Sequence, residues 1–264
     1  MKLGISLNFF NGEEHLVPSL KSVRGVADHI NVIVQYTSNA GNEISTEAIK
    51  QLQDAINQGL VDKVIEYKPD FRKTRQKNEM DKRRLGLREV KLQRCTHFLG
   101  MDADEFYRPK ELQWAMHEIE KHNYTVSTVG SFFHIKRPIY RSRDTTNVPF
   151  IAKVNFLTAI GKGNYPAQNV DPTRIIRNIR KHHREFEVSE VAMYHMNFVR
   201  SDFSSKFRNT STTDSTFLET VEDRILKWSI GQDFDFPGKG KFRPQLVDNE
   251  FETFDPIPTQ NLGF

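Results

Sequence analysis

An acidic cluster follows a short apolar segment near the middle of the chain. The run at 96–101 predicts a buried strand, and Asp102, Ala103, Asp104 and Glu105 come directly after it. In open α/β sheets, ligands bind in the crevice beyond the carboxyl ends of the strands. Carboxylates held this close together repel one another unless a cation lies between them, and Mg²⁺ or Mn²⁺ prefers such oxygen ligands. The sequence therefore predicts a divalent-metal site here.

The same cluster also allows a structural explanation. A helix is predicted from Lys110 to His122 after Pro109, and acidic residues are common at the N-terminal cap of a helix. Such a cap uses one carboxylate, whereas this segment carries three. The metal site is therefore the favoured interpretation.

The elements that would position these carboxylates alternate along the first part of the chain. Strands are predicted at 3–9, 30–34, 61–67 and 96–101, and helices at 13–23, 45–58 and 73–94. This alternation is typical of βαβ units around a mainly parallel sheet, so the predicted fold class is α/β. The helix at 73–94 has few apolar residues, and most of its surface is expected to face solvent or a ligand.

Composition excludes several classes of protein. The chain has 264 residues, of which 37% are hydrophobic and 27% charged, and a mean hydropathy of -0.60. These values are typical of one large or two small globular domains, and no apolar run reaches the 18 residues of a spanning helix. Residues 1–8 are too short and too interrupted for a signal peptide. The single cysteine, Cys95, excludes an internal disulfide and fits a reducing compartment, so a cytoplasmic location is expected. No oligomeric state is indicated.

Positive charge is concentrated in two segments. Residues 68–94 contain 11 Lys and Arg against four acids, and residues 130–184 contain 11 against two. Aromatic residues are interleaved with the cations of the second segment, an arrangement that suits sugars and nucleic acids. Local positive fields attract phosphates, although a solvated basic face is an equally simple explanation.

Taken together, the element order and the motif at 102–106 resemble the nucleotide-sugar-binding core of GT-A glycosyltransferases, in particular the family 2-like group. The stretches 10–14, 28–34 and 82–87 are similar to the opening motif, the second strand and the helix segment of that group. The resemblance implies a GT-A core at 1–125 and a mixed α+β acceptor-binding portion of the same domain at 126–264. The segment 201–216 is rich in Ser and Thr and is expected to be a loop that closes over the donor. The chain from Asp233 is expected to lie along the surface.

The resemblance also implies roles for individual residues. Asp102, Asp104 and His195 would hold Mn²⁺ or Mg²⁺, with His195 on a strand predicted at 191–198; a packing role for that histidine is the alternative. The residues implied in binding the nucleotide-sugar donor are Phe10, Asn11, Glu13, Gln35, Arg83, Arg84, Asp102, Ala103 and Lys206. Gln35 stands where the family usually has an aspartate that contacts the donor base, so the base is left open. Arg84 replaces an asparagine of the family motif and adds charge near the expected diphosphate.

An inverting transferase needs a carboxylate that takes the proton of the acceptor hydroxyl. Asp171 is the preferred candidate, and Glu187 and Glu190 are its competitors. Asp171 precedes Pro172, so capping a helix that starts there is the alternative role.

The predicted activity is metal-dependent transfer of a sugar from a nucleotide sugar to an acceptor hydroxyl. The expected acceptor is a hydroxymethylated base in DNA, as in phage-type DNA glycosyltransferases, and an envelope or capsule glycan is the alternative. Two other classes are a nucleic-acid-binding module on an inactive transferase scaffold and a nucleotidyltransferase. The intact Asp-Ala-Asp motif argues against the first, and the absence of a Gly-rich phosphate loop argues against the second.

Overall fold

A computed structural model of the chain describes residues 1–161, 165–177, 182–210 and 212–257. Its first half alternates strands and helices in the order expected from the sequence. These elements are β1 (Leu3–Phe9), α1 (Glu13–Arg24), β2 (His29–Val34), α2 (Thr46–Asn57), β3 (Lys63–Glu66), α3 (Arg75–Leu92) and β4 (His97–Asp102). None of the helices in the described ranges is long and apolar enough to cross a membrane.

The second half contributes mainly strands. Its elements are β5 (Glu105–Phe106), α4 (Pro109–His122), β6 (Val126–Ile135), β7 (Tyr140–Lys153), β8 (Ala159–Ile160), β9 (Ile176–Arg177), β10 (His183–Phe186), β11 (Met193–Phe198), α5 (Phe203–Asn209), α6 (Ser215–Lys227), β12 (Phe234–Phe236), β13 (Gly240–Phe242) and β14 (Gln245–Leu246).

One large sheet joins both halves. Its strand order is β3-β2-β1-β4-β7-β6-β11-β5, with β10 beside β6 and β14 beside β7. Strands β3, β2, β1 and β4 are parallel, whereas β7 runs antiparallel to β4 and β6. The predicted α/β class with a mainly parallel sheet flanked by helices is therefore confirmed.

The core explains why the parallel strands form. Every residue of β1 and of β2 is buried, as expected for strands covered on both faces by helices. Helix α3 packs closely on β1 at Gly86, where a Cβ atom would lie 1.8 Å from the Ser6 hydroxyl oxygen. Any larger residue at Gly86 would push α3 away from the sheet.

Two interpretations of the sequence need correction, and the description of α3 needs one addition. Eight of the 18 residues of α3 are buried, and these include charged Lys82 and Arg83, which pair with Glu79 of the same helix and with Asp102 at the end of β4. The segment 201–216 is not simply a loop, since α5 begins after the Asp202 cap and α6 after the Asp214 cap. No helix starts at Pro172; the Asp171 carboxylate instead accepts hydrogen bonds within a turn.

The alternative role of the acidic cluster, as the cap of a helix, is also not observed. Helix α4 begins after Arg108, which makes no side-chain cap, and Pro109 occupies its first turn. The chain from Asp233 crosses the surface as predicted only in part, because Phe234 and Thr253 are buried.

Candidate functional site

A cavity of about 310 Å³ lies beyond the carboxyl ends of β1, β2 and β4. Strand β11 and helices α3 and α5 complete its walls. Ten of the residues expected to form a site line it: Phe10, Asn11, Gln35, Arg83, Asp102, Ala103, Asp104, Asp171, His195 and Lys206. The fold thus gathers residues from 10 to 206 at the edge of the sheet where α/β proteins bind ligands.

The two aspartates of the cluster face different cations. Arg83 Nη2 lies 3.0 Å from both carboxylate oxygens of Asp102, and Arg174 Nη2 lies 2.5 Å from Asp102 Oδ2. Asp104 accepts hydrogen bonds from Arg200 and, at 3.1 Å, from Lys206 Nζ. Each carboxylate is therefore held ionised by a basic side chain of the cavity wall.

Glu105 points into the protein rather than into the cavity. It is fully buried and pairs with Arg174, whose Nη1 donates to Glu105 Oε2 at 2.8 Å. The other partner of this carboxylate is the backbone N–H of Asp102, at 3.0 Å. Glu105 therefore holds the strand end and Arg174 in place.

Burial and charge act in opposite directions on the cavity residues. Burial alone would raise the pKa of Asp104, but the charges of Lys206 and Arg200 outweigh it and hold that pKa well below its usual value. Burial, followed by the Arg200 charge, lowers the pKa of Lys206 to about 8. Asp104 is thus a carboxylate and Lys206 mostly an ammonium group at neutral pH.

Two arginines of the wall have buried N–H groups without an acceptor. The Nε and Nη1 groups of Arg83 and of Arg200 have no hydrogen-bond partner in the described part of the chain, and both side chains are 4% exposed. Leaving such donors unpaired costs free energy, so they favour an anion that enters the cavity.

Gly12 makes room for one of these arginines. It caps α1 with φ 84°, a conformation that favours glycine, and a Cβ atom there would lie 2.6 Å from Arg200 Nη1. Glu14, in the first turn of α1, accepts a hydrogen bond from the Ser201 backbone N–H at 3.0 Å and lies 3.7 Å from Arg200 Nη1. The start of α1 therefore fixes the Arg200 side chain.

The lining as a whole carries a small positive excess. Its charged members, His195 apart, are the cations Lys82, Arg83, Arg174, Arg200 and Lys206 and the acids Glu79, Asp102, Asp104 and Asp171. Five cations thus face four carboxylates. A diphosphate carries at least two negative charges, one on each phosphate. The net charge of the lining, which is about +1, therefore neutralises only part of the diphosphate charge.

His195 and Asp104 are close enough to share a metal ion. His195 Nε2 lies 3.4 Å from Asp104 Oδ1. Two ligand atoms on neighbouring positions of an octahedral Mg²⁺ are about 3 Å apart, which this pair matches after a small adjustment. No cluster of three or more His, Cys, Asp and Glu side chains suited to a metal exists among the described residues. Mg²⁺ commonly binds one or two carboxylates and completes its shell with substrate phosphates, so the pair fits such an ion.

Asp171 is held in a defined orientation at the cavity wall. Its Oδ1 accepts hydrogen bonds from the backbone N–H and the hydroxyl of Thr173, both at 2.8 Å, and its Oδ2 accepts one from Arg174 Nε at 3.1 Å. Burial would raise the pKa of Asp171, but the charges of Arg174 and Arg83 outweigh it and lower the pKa.

Three of the expected site residues do not line this cavity. Glu190 pairs with Arg184 Nη2 at 2.7 Å, away from the strand ends. Glu13 accepts a hydrogen bond from the Ser45 hydroxyl and lines a small adjoining cavity of about 130 Å³. Arg84 donates to the Ile160 carbonyl and lines a separate groove.

Sequence reasoning did not select Arg174, Arg200 or Asn197 for the site. Asn197 lies two residues after His195 on β11, so the alternation of side chains along a strand could have placed both on one face. The two arginines had no local signal, because each is recognised only by its distant carboxylate partner.

No family model matches this sequence, and no curated protein matches it either. Among solved structures, it is similar to TarS 1-349 of S. aureus, with 12% identity over 58% of this chain and 47% of that one, and a TM-score of 0.39. It is also similar to GalNAc-T7 with UDP, GalNAc and Mn²⁺, with 13% identity over 84% of this chain and 48% of that one, and a TM-score of 0.47. A third structure is mannose-1-phosphate geranyltransferase from Thermus thermophilus, with 11% identity over 59% of this chain and 51% of that one, and a TM-score of 0.33. The chain spans about half the length of each of these three.

Proposed function

We propose that this chain is a glycosyltransferase that moves a sugar from a nucleotide-diphosphate donor to an acceptor hydroxyl. The observation that carries the proposal is the cavity beyond β1 and β4, where Asp102 and Asp104 face arginines with unpaired buried N–H groups. Such a cavity combines groups that bind phosphates with carboxylates that bind a cation. The sequence resemblance to GT-A enzymes assigns the same cavity to the donor.

Divalent metal is part of this proposal. Asp104 and His195 would hold Mn²⁺ or Mg²⁺, with Asp102 beside them, and the donor diphosphate would complete the ligand shell. When bound, the ion would stabilise the negative charge that develops on the leaving diphosphate. The single excess positive charge of the lining supports this role, because it leaves part of the diphosphate charge to be neutralised.

The chain's own cations would grip the same diphosphate. Two buried N–H groups of Arg200 lack a hydrogen-bond partner in the described part of the chain, and Lys206 on α5 lines the cavity with its Nζ 3.1 Å from Asp104. Hydrogen bonds to an ionised phosphate are about twice as strong as neutral ones. Gln35 follows β2, and its side-chain amide donates a hydrogen bond to Asn39 Oδ1 at 2.9 Å. In the proposed complex Gln35 would lie near the nucleoside.

Asp171 would act as the base in an inverting displacement. The acceptor oxygen would form a bond to the anomeric carbon while its proton passes to the Asp171 carboxylate. The bond from that carbon to the diphosphate oxygen breaks, and its electron pair leaves on the diphosphate. Thr173 and Arg174 orient the carboxylate for this transfer, and the lowered pKa keeps it ionised beforehand.

The proposed acceptor is a hydroxymethylated base in DNA. The support is the exposed cations of the segments 68–94 and 130–184, among them Lys77, Arg88, Arg143 and Arg177, together with the aromatic residues of these segments. Polyanionic acceptors are attracted by such surfaces, and a base can be lifted from the stack at a cost of a few kcal/mol.

Two measurements test the proposal in sequence. Nucleotide sugars with Mn²⁺ should raise the melting temperature, since a ligand at a hundredfold excess over its Kd stabilises the folded state by about 2.7 kcal/mol. The Asp104→Asn variant should fold but lose transfer, whereas Asp223→Asn, which removes a half-exposed acid from α6, should keep it. No stabilisation by any donor, or full activity of Asp104→Asn, would overturn the transferase assignment. Labelled sugar that enters a glycan but never hydroxymethylated DNA would overturn the acceptor alone.

A further inference from the structure

A second and larger concavity lies beside the candidate donor cavity. It is a groove of about 670 Å³ between the first half of α3, strand β8 and the turn after Asp171. Its described lining is Thr74, Gln76, Lys77, Met80, Arg84, Ala159, Ile160, Gly161, Pro172, Thr173 and Arg177. Thr173 lines both the groove and the donor cavity, so the two spaces meet at the residue that holds Asp171.

Both basic segments of the sequence meet at this groove. Lys77 and Arg84 come from the segment at 68–94, and Arg177 comes from the segment at 130–184. The guanidinium groups of Arg84 and Arg177 converge at Gly161, where a Cβ atom would lie 3.7 Å from Arg84 Nη2 and 3.9 Å from Arg177 Nη1. Like charges held this close favour an anion between them.

Few acids offset these cations. Arg84 Nη1 pairs with Asp81 at 2.8 Å, and Asp81 also binds Lys73. Within the described ranges, no carboxylate forms an ion pair with Lys77 or Arg177. The groove therefore keeps a positive rim that faces solvent.

The rest of the groove is mainly apolar. Exposed aromatic residues lie shortly before two of its lining segments in the chain. Met80 and Ile160 form part of its floor. Phe71, three residues before Thr74, is 64% exposed, and Phe156, three residues before Ala159, is 88% exposed. In proteins that bind single-stranded nucleic acids, bases stack on exposed aromatic rings and phosphates pair with cations, so Phe71 and Phe156 would contact bases that have left the duplex stack.

We infer that this groove binds the phosphodiester backbone of the DNA acceptor next to the target nucleotide. The inference rests on the proposed function and adds a location to it. Phosphates would lie on Lys77, Arg84 and Arg177, and the lifted base would pass Thr173 to bring its hydroxyl to Asp171. Phosphate contacts fix register without reading sequence, so the base itself would be recognised in the cavity.

The test is a double variant, Lys77→Gln with Arg177→Gln. Both side chains are exposed, so the variant should fold, and its melting temperature checks this. The matched control is Lys50→Gln with Lys121→Gln, which removes two exposed cations from α2 and α4. Binding of a short fluorescein-labelled duplex that contains hydroxymethylcytosine is measured by anisotropy over a range of salt concentrations.

Loss of two phosphate contacts has a defined signature. The slope of log K against log salt should become less steep by about 1.8, and affinity at about 0.1 M salt should fall roughly 10- to 60-fold. The control should bind like the wild type. The shift in melting temperature caused by the nucleotide sugar should be unchanged, because neither residue lines the donor cavity.

Three results would overturn the inference. One is wild-type affinity and slope in the double variant, and another is an equal loss in the control. The third is a wild-type chain that binds heparin through Lys77 and Arg177 but does not bind duplex DNA, which would make the groove a site for an acidic glycan. Failure of every nucleotide sugar to stabilise the protein would instead overturn the transferase proposal, whatever the DNA measurements show.

Discussion

Removal of Arg174 should destabilise the fold more than removal of any exposed cation. This side chain joins three carboxylates beneath the cavity, those of Asp102, Glu105 and Asp171. In the Arg174→Met variant an unbranched apolar side chain remains, but the guanidinium group, its charge and its hydrogen bonds are lost. The perturbation therefore removes the ion pairs and keeps most of the apolar part of the side chain.

The expected loss of folding stability in Arg174→Met follows from how far the three carboxylate partners are exposed to solvent. The side chains of Asp102 and Asp171 are about one third exposed (30% and 32%), so solvent can replace part of what they lose. Glu105 is fully buried, and water cannot reach it. Breaking a buried ion pair by removing one partner costs about 3–5 kcal/mol, which for a chain of this size lowers Tm by roughly 6–20 °C.

The loss should also depend on pH in a defined direction. Burial already raises the pKa of Glu105 in the wild type, against the opposing charge of Arg174. Without Arg174 the folded-state pKa rises further above the unfolded value, so folding is more favourable at low pH and less so as pH rises through the folded-state pKa. The deficit of Arg174→Met against wild type should thus be larger near pH 8 than near pH 5.

Urea unfolding followed by tryptophan fluorescence measures this deficit. The double variant Arg174→Met with Glu105→Gln removes both buried charges and should recover much of the lost stability. Arg72→Met removes an arginine that is 91% exposed and should unfold like the wild type. A deficit below about 1 kcal/mol, or no recovery in the double variant, would refute the view that Arg174 and Glu105 form a buried pair that supports the site.

Three further predictions concern two residues of the cavity and the buried His15. Since the pKa of Lys206 is about 8, kcat/KM should fall as pH rises above that value, and Lys206→Arg should move the fall to higher pH; an unmoved profile would assign it to another group. His195→Ala should raise the Mn²⁺ concentration needed for half activity, and an unchanged metal titration would return His195 to a packing role. Burial lowers the pKa of His15 to about 4, so unfolding free energy should fall as pH drops from about 6.5 towards 4, and His15→Gln should reduce that dependence in urea titrations.

The sequence predicts the parallel strands well because their signals are local. The strands β1, β2 and β4 are apolar runs between turn residues, and α2 begins after Ser45, whose hydroxyl accepts the hydrogen bond expected of an N-cap. The Asp-Ala-Asp motif begins at the last residue of β4, so the place of the cavity follows from the strand itself.

Helix α5 could not be predicted in the same way. None of its residues is buried, and the segment 201–216 around it is rich in Ser and Thr, which is typical of a loop. It is capped by Asp202 and docked by the pair between Lys206 and Asp104, residues 102 positions apart. Phe203 and Phe207, four residues apart, also pack against a cluster that includes Phe198 and Trp228, and two aromatic residues are too few to indicate a helix in the sequence.

The buried arginines show most clearly why charge patterns mislead. In the sequence, the cations at 130–184 are expected on the surface, where charged residues usually lie. Arg174 is nevertheless 7% exposed, since it pairs with Asp102 at the end of β4 and with Glu105 at the start of β5, about 70 residues earlier. Arg177, three residues later, is exposed at the neighbouring groove. A single basic segment therefore contributes one arginine to the wall of the candidate donor cavity and another to the rim of the groove. The turn that contains Asp171 and Thr173 borders both spaces, so the charge of the segment alone cannot separate the two positions.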